Sequence, residues 1–175
     1  MNLPRIRWWE AHPLRLAKEQ RAMAEVAPAL TWTEELFGSS GGGWVGLCPA
    51  WPFVRPQPSK LDGFLLGRGF TIQVRLSPAH PVVAPTVYPV DPEPDLWVRT
   101  RQAWHVLGDG GLCLLRETLD WTAAEPAAEL VRKAAAWFLE YLLLTDGVIE
   151  EMTRDGIVDD DKLDHLFVPR REEVA

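Results

Sequence analysis

The spacing of apolar residues predicts a helix near the start of the chain. Residues 13–27, PLRLAKEQRAMAEVA, consist mainly of good helix formers and place Leu16, Met23 and Ala27 on one face. Pro13 stands where such a helix begins, because the first helical turn does not need its missing N–H. We therefore predict an N-terminal helix over these residues.

A longer helical pattern lies in the last third of the chain. Residues 122–144, TAAEPAAELVRKAAAWFLEYLLL, repeat large apolar residues at helical spacing. Thr122 and Glu125 have the spacing of a capping box, which would begin this helix. The tail from Asp146 mixes acidic residues with scattered apolar ones, so we expect either one more short helix or a mobile arm.

Between these helices the pattern changes to alternation, which predicts strands. Residues 69–76, GFTIQVRL, alternate apolar with polar side chains and should bury one face. Residues 61–66, LDGFLL, precede a Gly-Arg-Gly turn, so we predict that the two segments form a hairpin. WVGLC, residues 44–48, is a further short apolar run, and GSSGGG, residues 38–43, predicts a flexible loop.

Prolines shape the rest of the central region. VVAPTVY, residues 82–88, suits an edge strand, where missing amide donors cost little. A long crossover rich in proline and glycine then leads to the second helix. The order of helix, three or four meander strands, crossover and helix predicts an α+β fold with helices packed against an antiparallel sheet.

Size and charge narrow the function classes. The 175 residues fit a single domain with a core of its own. A net charge of -7 opposes non-specific binding to nucleic acid. Arg5 and Arg7 beside Trp8 and Trp9 form a small basic and aromatic cluster, but no recognition motif accompanies it. We therefore expect no nucleic-acid partner.

The cysteine count and the apolar segments lead to expectations about localisation and membrane binding. Two cysteines do not make a disulfide framework, and there is no secretory leader, which fits the cytoplasm. Glu140 interrupts the longest apolar segment, which is too short to span a bilayer, so we expect no membrane partner. No cysteine and histidine spacing makes a zinc site and no glycine motif binds phosphate, so we expect no cofactor.

The stretch GDGGLCLLRETLDW, residues 108–121, contains the candidate nucleophile, Cys113. A lone cysteine among leucines is usually buried in a core. The glycines at positions 108, 110 and 111, however, leave the backbone free to approach a peptide terminus, and a glycine-rich turn can aim amides at a developing negative charge. His105 is close enough in sequence to fold over the same loop. Cys48, between leucine and proline, we interpret as a core residue.

This order of elements, with GFTIQVRLSPAHPVVAPTVY and HVLGDGGLCLLRETLDWTAAEPAAELV, resembles the ubiquitin-conjugating (E2) enzymes and, more closely, their bacterial E2-like relatives. The resemblance covers roughly residues 13–145 and leaves 146–175 as a C-terminal extension. It implies the UBC-like fold: an N-terminal helix, a four-stranded antiparallel meander, an active-site crossover loop, and one or more C-terminal helices. It also implies that Cys113 carries a ubiquitin-like protein as a thioester, in a loop supported by Gly108, Gly110, Gly111 and Trp121.

The chain departs from the family upstream of the cysteine. Eukaryotic members have His-Pro-Asn there, and the asparagine supports the active-site loop and is proposed to stabilise the oxyanion. The corresponding residues are Ala103, Trp104 and His105, and a histidine at about this place recurs in bacterial E2-like proteins. The role of His105 stays open between an oxyanion donor, a general base for the incoming amine, and a loop histidine bonded to backbone.

The resemblance further implies partners. Bacterial relatives occur in operons, some of them antiviral, with an E1-like activating enzyme, a ubiquitin-like modifier and a JAB-type metallopeptidase. The resemblance implies that an E1-like enzyme binds the N-terminal helix, which has Arg15, Lys18 and Arg21 on its polar side. It also implies a protein acceptor. Asp146 lies near the position of the family's acidic gate residue. Two alternatives are a non-catalytic E2-variant binding module and a Cys-His hydrolase.

Overall fold

The computed structural model describes residues 6–115, 120–153 and 156–170, the side chain of Gln102 excepted. The fold is α+β, with helices at both ends of an antiparallel sheet. The helices are α1 (Trp8–Ala11), α2 (Pro13–Val26), α3 (Leu61–Leu65) and α4 (Ala128–Thr145). The strands are β1 (Leu30–Thr33), β2 (Gly43–Leu47), β3 (Thr71–Arg75) and β4 (Thr86–Asp91). Short 3-10 turns occupy Leu96–Val98, Gln102–Trp104 and Asp164–Leu166.

The four strands form one meander in the order β1-β2-β3-β4, each antiparallel to its neighbour. Ile72 and Val74 of β3 are fully buried, which confirms the predicted buried face. Phe70, just before β3, stacks on Phe138 of α4 with ring centroids 4.5 Å apart, so α4 covers this face. β4 lies at the edge of the sheet with Pro89 inside it, which confirms an edge strand here, although it begins at Thr86 and not at residue 82 as predicted.

The predicted hairpin over residues 61–76 is wrong. Residues 61–65 form the short helix α3, and β3 pairs with β2 and β4 instead. Leu61, Phe64 and Leu65 are buried at positions i, i+3 and i+4, which is a helical face. A short apolar run fits a strand and a helix equally well by hydrophobicity, and here packing against the core selects the helix.

The glycine-rich segment is also not the loosely packed loop that its composition predicts. Gly43 opens β2, and a Cβ there would lie 2.0 Å from the carbonyl oxygen of Val74. A Cβ at Gly41 would lie 2.3 Å from the carbonyl oxygen of Leu76. The glycines are therefore needed for the close approach of this segment to the end of β3.

The basic and aromatic cluster near the N-terminus is largely a packing cluster. Trp8 and Trp9 are buried and meet Trp32 edge to face. Arg7 forms a salt bridge with Glu34 on the surface. Arg5 lies outside the described residues. The tryptophans thus close the core beside β1 and are not displayed as a stacking surface.

The tail after α4 closes the far side of the core, and its described part contains one short helix, of the 3-10 type, at Asp164–Leu166. Ile157 and Phe167 are almost completely buried, and Phe167 packs on Phe64 of α3 at 5.3 Å between centroids. The guanidinium of Arg55 holds the carboxylate of Asp164 at 2.7 Å. The regular secondary structure in the described part of the tail is limited to this one 3-10 turn.

A buried carboxylate joins α2 to the start of α4. Glu19 is fully buried, and its carboxylate accepts hydrogen bonds from Arg15 (2.8 Å), from the backbone N–H of Ala127 (2.8 Å) and from the Nε2 of His80 (3.0 Å). Burial raises the pKa of Glu19, but the hydrogen bonds from His80, Ala127 and Arg15 outweigh it, so the pKa is lowered.

The predicted capping box is therefore wrong. Thr122 and Glu125 are linked only by a backbone hydrogen bond of 3.0 Å, and α4 begins three residues beyond Glu125. The amide of Ala127, the N-cap residue of α4, is instead satisfied by Glu19 from a different helix. The cap is a tertiary contact between residues 108 positions apart in the chain.

We expect Glu19→Ala to lower the free energy of unfolding by about 3 to 5 kcal/mol, because it leaves a buried imidazole and a helix-start amide without their acceptor and removes the carboxylate partner of the half-buried Arg15 guanidinium. Since the folded pKa of Glu19 is lowered, this stabilisation is present at neutral pH and is lost as pH falls through the folded pKa. Urea unfolding at pH 7 measures it. Glu34→Ala, which breaks only the exposed bridge to Arg7, is the control and should cost less than about 1 kcal/mol. Equal losses would contradict the assignment.

Candidate active site at Cys113

Residues 105–113 form a tight antiparallel hairpin, which we call the cysteine hairpin. Val106 and Leu112 form an antiparallel bridge. The amide of Cys113 donates to the carbonyl oxygen of His105 at 2.8 Å. The hairpin thus brings the two candidate catalytic residues side by side, although seven residues separate them in the chain.

Two of the three glycines of the hairpin, Gly110 and Gly111, are required by its geometry. Gly110 has a φ of +89°, which only glycine adopts readily. A Cβ at Gly111 would lie 2.7 Å from the side chain of Thr86, so the missing side chain lets the hairpin lie against β4. The amide of Leu112 donates to the carbonyl oxygen of Val87 in β4 at 2.8 Å. Gly108 meets only an ordinary contact and is less constrained.

The two cysteines differ sharply in exposure. Cys113 is exposed and lines a cavity of about 180 Å³ whose other walls include Ala84, Pro85, Leu107 and Leu130. Cys113 therefore lies at the mouth of an apolar groove and outside the core. Cys48 is 4% exposed, and burial raises the pKa of its thiol to about 12, which confirms it as a core residue.

His105 is held in an unusual backbone conformation with an exposed side chain. Its φ is +49°, in the left-handed region, where a residue other than glycine is uncommon. Trp137 of α4 donates its Nε1–H to the carbonyl oxygen of Trp104 at 2.8 Å, which anchors the preceding residue. Among the described residues, the imidazole of His105 has no hydrogen-bond partner. The loop histidine bonded to backbone is thus the least supported of its three roles.

Trp121, which lies before α4, is buried and anchored to the proline-rich passage. Its side chain is 8% exposed, and its Nε1–H donates to the carbonyl oxygen of Pro81 at 2.9 Å. Because Pro81 belongs to the proline-rich passage between β3 and β4, this bond ties the chain after the cysteine to the chain before β4. The contact agrees with a packing role for Trp121.

Two of the three cations of α2 that we predict to contact an E1-like enzyme are hydrogen-bonded within the chain. Arg15 is engaged with Glu19 and with the carbonyl oxygens of Ala123 and Glu125. Lys18 donates to the carbonyl oxygen of Ala124 at 2.6 Å. Both therefore hold the segment before α4, since their charges are turned toward their own chain. Within the described part of the chain, Arg21 is exposed and unpaired, and it alone of the three stays a simple candidate for E1 contact.

Asp146 is not brought to the cysteine groove. It lies at the C-terminal end of α4 and pairs with Arg68 at 3.0 Å and with Arg170 at 3.8 Å. The described residues that line the groove at Cys113 do not include it. Its surroundings are those of a carboxylate that joins the end of α4 to α3 and to the tail.

Two site residues were missed by sequence reasoning. The hydroxyl of Tyr88 in β4 donates to one carboxylate oxygen of Asp109 at 2.7 Å, and the amide of Gly111 donates to the other at 3.0 Å. Both hydrogen bonds lower the pKa of Asp109, whereas burial and the neighbouring carboxylate raise that of Tyr88. We call this pair the Tyr88–Asp109 clamp. An Asp before Gly-Gly indicates a turn, but the tyrosine 21 residues away is found only from the sheet register.

Over residues 6–115, 120–153 and 156–170, no cluster of three or more histidine, cysteine or acidic side chains is arranged to hold a metal ion. Over the same residues no helix has the length and apolarity to cross a membrane. Comparison of the chain with protein-family models, with curated proteins and with solved structures finds no match in any of the three.

Proposed function

We propose that this chain is an E2-like conjugating enzyme of UBC-like fold. It accepts a ubiquitin-like protein from an E1-like enzyme as a thioester on Cys113 and transfers it to an amine acceptor. The observation that carries the proposal is the exposed Cys113 beside His105, at the end of a glycine-rich hairpin and at the mouth of an apolar groove.

The architecture supports this assignment at a coarser level. An N-terminal helix, a four-stranded meander, a crossover that contains the cysteine and a long helix follow one another in the order that the UBC-like fold has. The crossover here is built by the cysteine hairpin, which lies against the edge strand β4. A protein partner can therefore approach Cys113 from solvent without opening the core.

The chemistry needs only groups of this chain and its partners. The Cys113 thiolate attacks the carbonyl of the E1 thioester, and the E1 sulfur leaves as a thiolate. An acceptor amine then attacks the new thioester, a tetrahedral oxyanion forms, and its collapse expels the Cys113 thiolate while the amine loses a proton. A donor at the oxyanion, or a base for that proton, is what His105 can supply. The apolar groove would receive the tail of the modifier and keep water from the thioester.

Two other classes fit the same residues less well. A non-catalytic binding module gains nothing from a cysteine that is exposed at a groove. A Cys-His hydrolase normally places its thiol at a helix N-terminus, which lowers the thiol pKa, but in the described residues after Cys113 the chain runs on through Leu114 and Leu115 without helix. The conjugating enzyme explains the exposure and the open approach together.

The wider setting rests on the resemblance. It suggests a cytoplasmic protein in bacterial antiviral defence that acts with an E1-like enzyme, a ubiquitin-like modifier and a protein acceptor. The exposed face of α2 around Arg21 is the surface that we expect the E1-like enzyme to contact.

Reconstitution tests the proposal. The purified protein is mixed with ATP and with the E1-like enzyme and modifier encoded beside its gene, and is followed on non-reducing gels. We expect an adduct that needs ATP and E1, disappears with thiol reductant, and passes the modifier to free lysine. A non-covalent complex without an adduct would favour the binding module, and release of free modifier alone would favour a hydrolase.

A further inference from the structure

A side chain joins the tip of the cysteine hairpin to the sheet, in addition to the hairpin's own backbone hydrogen bonds. The bridge between Val106 and Leu112 and the bond from Leu112 to β4 hold the base of the hairpin. The tip is closed on itself by two backbone hydrogen bonds, from the amide of Gly110 to the carbonyl oxygen of Leu107 at 3.0 Å and from the amide of Leu107 to the carbonyl oxygen of Gly111 at 2.7 Å. Asp109 adds a side-chain link from the tip to the sheet, since its carboxylate accepts from the amide of Gly111 on one oxygen and from the hydroxyl of Tyr88 on the other.

The Tyr88 end of this contact is packed against neighbouring side chains. The Arg75 guanidinium lies 3.9 Å from the centroid of the Tyr88 ring. Arg75 in turn donates to the side-chain oxygen of Gln73 at 2.9 and 3.0 Å. Gln73 and Tyr88 are register partners on β3 and β4. The hydroxyl that holds Asp109 therefore comes from a side chain that is packed on two strands.

We infer that Tyr88 and Asp109 are positioning residues for the transfer reaction: by clamping the tip of the cysteine hairpin to the sheet, they set the placement of Cys113 and His105. Neither residue lines the groove at Cys113. The inference rests on the proposed function for its catalytic part. Its structural part, that the clamp holds the hairpin, is independent of any partner.

Conservative variants separate the clamp from general stability. Tyr88→Phe removes only the hydroxyl and keeps the ring beneath Arg75. Asp109→Ala removes both acceptor oxygens. Tyr141→Phe is the matched control, because the Tyr141 ring stacks on Trp137 while its hydroxyl has no hydrogen-bond partner among the described residues.

The first measurement is hydrogen exchange of the free protein. The amide of Cys113 is bonded to His105 and not to the clamp, so its exchange reports the order of the hairpin. We expect about fivefold faster exchange at this amide in Tyr88→Phe and in Asp109→Ala, the equivalent of one ordinary hydrogen bond. Exchange in α4 should stay unchanged, and Tyr141→Phe should match the wild type.

The second measurement is single-turnover discharge of the preloaded Cys113 thioester onto free lysine at increasing lysine concentration. We expect each single variant to lower the maximal rate about tenfold without changing the half-saturating lysine concentration. The double variant should be no slower than the slower single variant, because the two changes break one interaction.

The outcomes distinguish the two proposals. Unchanged exchange at Cys113 in both variants overturns the clamp, whether or not a modifier is found. Faster exchange with unchanged discharge overturns the positioning role in the reaction. Failure of the wild type to form any adduct overturns the proposed function, while the exchange experiment still decides whether Tyr88 and Asp109 hold the hairpin.

Discussion

Replacing Cys113 by alanine is expected to abolish covalent attachment of the modifier, whereas Cys48→Ala is expected to leave attachment intact. Only a thiolate attacks the E1 thioester. Burial raises the pKa of Cys48 to about 12, so roughly 10⁻⁵ of that thiol is ionised at pH 7, and the residue is 4% exposed as part of the core. Cys113 is exposed at the groove. Burial therefore disfavours Cys48 both by keeping its thiol protonated and by denying access to it, whereas Cys113 is accessible.

The comparison is made by charging each variant with E1, ATP and modifier and measuring intact mass without reductant. Thermal unfolding of Cys113→Ala should match the wild type, since an exposed side chain contributes little to packing. Cys48→Ala should unfold at a lower temperature because it leaves a cavity in the core. An adduct that persists in Cys113→Ala, or that is lost in folded Cys48→Ala, would contradict the assignment.

Replacing His105 by alanine is expected to leave charging nearly normal and to slow discharge by roughly 10² to 10³, the effect of losing one oxyanion donor in an acyl-transfer site. Charging exchanges one thioester for another with a good leaving group. Discharge must stabilise an oxyanion or remove a proton from the amine. The exposed imidazole, without a hydrogen-bond partner among the described residues and carried at a φ of +49°, is available for either task.

His105→Asn separates the two tasks, because an amide donates a hydrogen bond but does not act as a base. If asparagine restores discharge, His105 is the oxyanion donor and does the work of the family's asparagine. If asparagine is as slow as alanine and the wild-type rate rises as imidazole loses its proton, His105 is the base. Single-turnover discharge of preloaded Cys113 across pH decides between them, and equal rates in all three proteins would leave His105 with a structural role only.

The parts of the fold that could be predicted are those in which apolar residues recur at one spacing over a whole element. Helix α2 and strand β3 lie where 3.6-residue and two-residue patterns placed them. The strand prediction for residues 61–65 was wrong because a short apolar run is too short for its period to distinguish a helix from a strand. The predicted cap of α4 was wrong for a different reason. The acceptor for its first amide, Glu19, comes from another helix, and no local sequence pattern encodes that contact.

The candidate site likewise has a part that could be predicted from the sequence and a part that could not. Cys113 and its glycines stand together in the chain, so their grouping was visible in the sequence. The Tyr88–Asp109 clamp was not, because it depends on which residue of β4 faces the hairpin. Arg15 was placed on the polar side of its helix, but helical spacing alone does not show that the segment before α4 covers it.

The central claim is that the Cys113 sulfur carries the carboxyl terminus of another protein, and trapping that bond tests it most directly. Cys113→Ser replaces the thiol by a hydroxyl, so transfer from the E1 would form an oxyester, which resists thiol reductants and is cleaved by alkali. The variant and the wild type are expressed in cells together with the neighbouring genes, and the adducts are mapped by mass spectrometry. We expect a reductant-sensitive adduct on the wild type and a reductant-resistant, alkali-labile one at position 113 of the variant, joined through the modifier's terminal carbonyl. The absence of both, or attachment at Cys48 or a lysine instead, would contradict the account.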